Sequence, residues 1–189
     1  PLRHSSAASD VYKRQYQACR NAIDHVTSKS GARTIVVRIP FIVNKDSDII
    51  DPILSAISEK TALAMIDTVS SPTGIRMPFE KLVEEIQKRG VDVLVDAAHG
   101  PGIVPLDLSK LNAAYITGNC HKWVCTPKGS AFLHIREDKR GGVKPLVIGH
   151  GYSSELPLNE KFRMEFDWTG TRDPSPWLCI PYAIGHLGS

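Results

Sequence analysis

An aspartate and a lysine carry the chemistry that this sequence offers. Asp96 ends the apolar run at 91–96 (VDVLVD) and is followed by Ala97, Ala98, His99, Gly100, Pro101 and Gly102, small or turn-forming residues that leave room for a flat group to approach. Lys122 lies in GNCHKW at 118–123, just after the next strand-like run. A carboxylate withdrawn from water needs a positive partner, and the pair allows two readings. One is a structural ion pair, or two unrelated surface charges. The other is a pyridoxal phosphate site, where a lysine amine condenses with the cofactor aldehyde and an aspartate keeps the pyridine nitrogen protonated, so that the ring draws electrons from a carbanion. Lysine suits the first task because its amine becomes nucleophilic when desolvated or set near other cations. Aspartate suits the second because a buried anion against the ring nitrogen makes that nitrogen more basic.

The elements that must position these residues alternate between the strand and helix periods, which predicts an α/β domain with a mostly parallel sheet flanked by helices. Ala18, Ala22, Ile23 and Val26 share one helical face, with Gly31 as a stop. A strand is expected over 33–39, ended by Pro40. A helix follows over 48–57, with Ser47 as its N-cap. Strands are further predicted at 63–67, 91–96, 113–117 and 131–135. Leu82, Val83 and Ile86 form the buried stripe of a helix running from near Pro78 to before Gly90. The stretch 141–151 reads as a long surface loop, and 174–186 as a helix with Trp177, Leu178, Ile180, Ile184 and Leu187 on its apolar side, kinked or broken at Pro181. Ligands of open α/β sheets sit beyond the carboxyl ends of the strands. This directs attention to 67–74, 96–102 and 118–122.

The chain has 189 residues with 42% hydrophobic and 23% charged side chains and a net charge of +3, an ordinary globular composition. No run approaches the roughly 20 apolar residues of a membrane span. The charges are interspersed, which disfavours disorder and electrostatic nucleic-acid binding; Lys128, Arg136, Lys139 and Arg140 form only a loose basic patch that reads as a solvated face. Cys19, Cys120, Cys125 and Cys179 match neither a zinc cluster nor a disulfide framework, so no metal is expected and a cytoplasmic setting fits. Cys120 and Cys125 are expected to be small buried residues rather than a nucleophile or ligands, and Trp123, Trp168 and Trp177 to be packing residues.

From 16 to about 186 the sequence resembles class V aminotransferase-fold enzymes, the fold-type I pyridoxal phosphate proteins that include cysteine desulfurases, and within them the isopenicillin N epimerase-like branch. The resemblance rests on SSPTG at 70–74, VDVLVDAAHGPG at 91–102, TGNCHKW at 117–123 and DWTGTRD at 167–173, in that order and spacing. It implies the central part of the large cofactor-binding domain. It also implies that Lys122 is the Schiff-base lysine and proton carrier at the substrate Cα, and that Asp96 pairs with the pyridinium. His99 falls where the family places a histidine or glutamine near the cofactor's phenolic oxygen. Asn119 and His121 fall at phosphate-holding positions, donating through a side-chain amide and an imidazole N–H. Thr171 matches a residue reaching the phosphate of a neighbouring subunit, which implies a homodimer with shared sites. Ser71 stands where cysteine desulfurases have an asparagine. Arg172 has two readings, an anion contact or a surface pair with Asp173.

The implied activity is a pyridoxal-phosphate reaction at Cα of an amino acid or amino-acid-like amine, epimerase-like, with a cysteine-derivative lyase or desulfhydrase, an aminotransferase and a catalytically inert fragment as alternatives. The string SSAASDVYKRQ at 5–15 matches the in-frame translation of a transposase-type sequencing-library adapter. Residues 1–15 are therefore expected to be an artefactual segment, and 16–189 a partial large domain. The upstream part, with a phosphate-cradling helix N-terminus and the aromatic or histidine that stacks on the ring, is expected to lie outside this chain, as is the C-terminal small domain.

Overall fold

The computed structural model describes residues 15–187 and, as backbone, residues 6–10. The elements run β1 (Ser6–Asp10), α1 (Gln17–Ser30), β2 (Ile35–Val37), α2 (Ser47–Ala56), β3 (Thr61–Asp67), α3 (Phe79–Lys88), β4 (Asp92–Ala97), α4 (Leu108–Leu111), β5 (Tyr115–Asn119), β6 (Ala131–Ile135), α5 (Leu158–Asp167), α6 (Ser175–Leu178) and α7 (Ile180–Leu187). They build one sheet of order β2-β1-β3-β4-β5-β6, parallel except for the antiparallel pair β5–β6. The sheet is parallel because helices intervene between its first five strands. β6 follows β5 without a helix and turns back on it.

The core lies where β3 and β4 meet α2 and α3. Val93 and Val95 on β4 are fully buried, as are Leu82, Val83 and Ile86 on α3 and Ile49 on α2. Each such side chain contributes about 1.5–3 kcal/mol by leaving water, and together they hold β3, β4 and β5 in register. That register sets the site: Asp67 pairs with Asp96, and Asp96 with Thr117. Gln87 Oε1 secures the far end of the sheet by accepting from the Ala114 amide and the Arg136 guanidinium, both at 3.0 Å.

Most predicted elements are present, with the C-terminal helix broken beside Pro181 as expected and three corrections. Ser47 is the first residue of α2 and Asp46 takes the cap position, while Asp48 Oδ2 receives the Asn44 and Lys45 amides. The C-terminal helix breaks at Cys179, because the Pro181 ring would meet the carbonyl of Trp177 four residues back. Neither α6 nor α7 buries a residue, and Leu178, Ile184 and Leu187 stay exposed. The stripe on α1 is likewise uncovered, with Val26 exposed and no α1 residue buried.

Three side chains read as packing residues also differ. Trp123 and Trp168 are exposed. Cys125 is exposed in a left-handed turn at φ 58°, whereas Cys120 is buried as expected. Residues 108–111 and 158–167 form helices that the sequence reading did not place.

Candidate functional site

β3, β4 and β5 end side by side, and their carboxyl ends open into a cavity of about 520 Å3 lined by Ser71, Asp96, His99, Asn119, His121 and Lys122. Six of the seven residues singled out in the sequence therefore converge. Thr171 does not: it is exposed and apart from this cavity. A larger hollow of about 1020 Å3 between α3 and 105–112 is lined by surface lysines and glutamates, with none of these groups.

Asp96 is 8% exposed. Its Oδ1 accepts the Ala98 amide at 2.9 Å, fixing the carboxylate plane, while Oδ2 faces the cavity and accepts Gln15 Nε2–H at 2.9 Å and the Cys19 thiol at 3.7 Å. It makes no ion pair among the described residues, so the direct Asp96–Lys122 pair of the first reading does not form. A buried carboxylate without a cation is costly, and here an N–H donor already stands against its open oxygen. The chemistry of the position fits a protonated ring nitrogen. The carboxylate also acts on Cys19: burial, then the Asp96 charge, pushes that thiol up to about 11.

Lys122 reaches into the cavity from the turn after β5, with Nζ 3.3 Å from His99 Nε2. The other imidazole nitrogen, Nδ1, accepts the Trp123 indole N–H at 3.0 Å. Burial lowers the pKa of His99, the Lys122 charge lowers it further, and Asp96 opposes both. His121 is held differently: its Nδ1 lies 2.9 Å from the Ser130 carbonyl, which can only accept. Nδ1 therefore carries a proton, and Nε2 can donate to an anion only as the imidazolium. That narrows the imidazole N–H donation expected of this residue.

Further residues line the cavity that the sequence reading did not assign to it. Tyr16 places an aromatic ring there, a group expected to lie outside this chain, together with Gln15, Cys19 and Asp67. Asp67, the last residue of β3, lies in the stretch 67–74 to which the strand-end rule pointed, although no role was given to it. Gln15 and Cys19 carry no such signal, because only the fold brings them to Asp96. Gln15 Oε1 is buried with no hydrogen-bond partner among the described residues. Arg172 makes no ion pair with Asp173 among the described residues and lies over the Trp177 ring at 4.5 Å, while Asp173 accepts the Ser175 amide.

Two glycines let the site close up. A Cβ on Gly118 would run into the ring of Phe132, its register partner on the antiparallel β6, and would lie 3.0 Å from the Ala97 carbonyl oxygen on β4, so β5 is bare where these strands flank it. Gly102 has φ +88°, and a Cβ there would lie 2.7 Å from the Trp123 carbonyl oxygen. The turn after Asp96 thus packs directly on the turn that carries Lys122. Gly102→Ala is expected to destabilise the fold by about 1–3 kcal/mol, read as a lower urea midpoint at unchanged slope.

A mostly parallel α/β sheet with a lysine, a buried carboxylate, an asparagine and two histidines at adjacent strand ends defines an α/β protein with a polar sheet-end crevice, the place where ligands of such sheets bind. The chain belongs to the class V aminotransferase family, whose profile matches residues 9–172. It is 32% identical over 193 residues to isopenicillin N epimerase of Amycolatopsis lactamdurans, covering 96% of this chain and 48% of that protein. It is 34% identical over 176 residues to the probable chloroplastic L-cysteine desulfhydrase of Arabidopsis thaliana, covering 88% of this chain and 36% of that one. The chain thus spans half or less of the length of these relatives. Among solved structures, the apo cysteine desulfurase of Thermococcus onnurineus NA1 superposes with a TM-score of 0.77 at 20% identity, over 97% of this chain and 45% of that one. A C-DES variant with glycine covalently linked to its PLP cofactor gives 0.68 at 20% identity, over 77% of this chain and 38% of that one. These likenesses establish the fold as that of the desulfurases. No helix among the described residues is long and apolar enough to cross a membrane.

Proposed function

We propose that this chain is part of a pyridoxal-phosphate-dependent enzyme acting at Cα of an amino acid or amino-acid-like amine, epimerase-like in outcome. The observation that carries the reading is the convergence of Lys122, His99 and a buried Asp96 on one cavity. The cofactor, when bound, supplies an aldehyde for attachment and a ring that withdraws electrons from Cα. Lys122 holds it by its amine and moves the Cα proton, and Asp96 holds a proton at the ring nitrogen. His99 faces the phenolic oxygen, Tyr16 offers the ring a wall, and Asn119 and His121 serve the phosphate, with Ser71 at the rim. Thr171, exposed here, is assigned to the phosphate of a second copy in a homodimer.

A second reading, release of sulfide from a cysteine derivative, is supported by the comparable identity to L-cysteine desulfhydrases. Product analysis on the full-length protein separates the two. Recovery of the substrate skeleton with inverted Cα supports the epimerase reading; pyruvate and sulfide support the lyase; a requirement for a keto-acid acceptor overturns both. All four cysteines are free thiols in the fold, which suits a reducing cytoplasm.

We also infer that residues 1–15 are foreign to the natural protein, and that 16–189 form part of its large domain. β1 lies between β2 and β3, a position where parallel strands are rich in Val, Ile and Leu, yet its sequence is SAASD. On this reading Gln15 is the last foreign residue, standing where the cofactor ring nitrogen belongs. A clean read of the parent DNA decides it.

A further inference from the structure

We infer that Trp123 is a positioning residue that sets the tautomer of His99 and thereby aims an imidazole N–H at the Lys122 amine. An indole nitrogen can only donate. Because Trp123 Nε1 lies 3.0 Å from His99 Nδ1, Nδ1 must be bare, and the neutral ring then carries its proton on Nε2. Nε2 is the atom 3.3 Å from Lys122 Nζ. The opposite tautomer would bring two protons together at the closer contact, 3.0 Å, in exchange for a bare Nε2 to which a Lys122 ammonium could donate at 3.3 Å; the Nε2–H tautomer instead meets Lys122 as the free amine, the form that condenses with an aldehyde. The imidazolium meets the same obstacle, since it too needs a proton on Nδ1.

The placement of Trp123 agrees with this role. The side chain is 49% exposed, so it adds little to the core. Its ring meets His99 tilted by 55° at 6.3 Å, a contact without stacking overlap. Its backbone is nevertheless anchored, because its carbonyl occupies the space that a side chain at Gly102 would fill. A half-exposed indole on a fixed backbone, with its one polar atom on an imidazole nitrogen, is placed for a hydrogen bond. The charged groups acting on His99 are Lys122 and Asp96, with opposing signs. Both remain when the indole N–H alone is removed, so the effect of the bond can be isolated.

The consequence for chemistry rests on the proposed cofactor reading: a fixed Nε2–H gives the lysine end of the cavity a donor for an oxygen of the ligand, without His99 having to be charged. The tautomer itself does not depend on that reading. In the 189-residue chain with 15N-labelled histidine, the His99 ring is expected to show a bare Nδ1 and a protonated Nε2 at neutral pH. Trp123→Phe keeps the ring but removes the donor. It is expected to convert this pattern to a mixture of tautomers, to raise the His99 pKa toward its usual value, and to slow borohydride-fixed attachment of pyridoxal phosphate at Lys122 about 5- to 10-fold, the scale of one hydrogen bond. His99→Ala reads the same bond from the other side, as a shift and faster exchange of the Trp123 indole N–H that Trp168 and Trp177 do not share. A proton on Nδ1 in the unaltered chain, or identical tautomer patterns with and without the indole, overturns the inference. A tautomer change with unchanged attachment overturns the positioning role. Failure of attachment in both proteins, with the tautomer pattern as expected, overturns the cofactor reading and leaves the tautomer assignment supported.

Discussion

Lys122→Ala in the full-length protein is expected to leave no pyridoxyl group fixed by borohydride on the peptide containing residue 122, and to lower turnover by about 100- to 10,000-fold or more. The change removes two functions at once, the amine that attaches the cofactor and the group that moves the Cα proton. Among the described residues, Lys122 is the one lysine that lines the cavity. Lys122→Arg sharpens the test, since it retains a cation beside His99 but cannot condense with an aldehyde. Peptide mass mapping of the unaltered protein supplies the positive control. An adduct found mainly on exposed Lys128, or undiminished in Lys122→Ala, would sink the assignment.

Asp96→Asn is the second large effect. The asparagine keeps the shape and, through its own carbonyl oxygen, the bond from the Ala98 amide, so the turn 96–102 should stay folded. What it loses is the negative charge facing a protonated ring nitrogen. Separating a buried charge from its partner costs about 3–5 kcal/mol, which corresponds to cofactor binding weaker by roughly 150- to 5000-fold. A readout that needs no cofactor accompanies it. Asp96 helps hold the Cys19 thiol up at about 11. Removing that charge lowers the Cys19 pKa, raises the thiolate fraction at any given pH, and speeds alkylation of Cys19. Unchanged cofactor affinity together with faster alkylation would mean that Asp96 is placed as described but pairs with nothing on the ligand.

The sequence was most legible where one interaction dominates. α3 announces itself through Leu82, Val83 and Ile86, and β4 through its apolar run, because burial against the sheet decides both. Asp96, His99 and Lys122 were legible because strand ends collect ligands in such sheets, and the four motifs lie in a fixed order. What could not be read depends on contacts between distant segments. Gln15 reaches Asp96 across 81 positions, and nothing in the sequence near either residue records this. The indole of Trp123 looked like core material, since a tryptophan near a strand usually packs; its turn instead points it at His99. The His121 tautomer was decided by the Ser130 carbonyl, an atom that every residue type possesses. The apolar side chains on α6 and α7 read as a buried stripe, yet Leu178, Ile184 and Leu187 stay exposed among the described residues.

The seating of the Trp123 carbonyl over Gly102 bears on how much order a ligand would have to impose. With backbone meeting backbone and no side chain between them, the two turns cannot slide independently, and the separation of the acid and the amine is inherited from the folded sheet. Little conformational entropy is then left for a ligand to remove at these two points, so its contacts there can go almost wholly into affinity, as in other pre-organised sites.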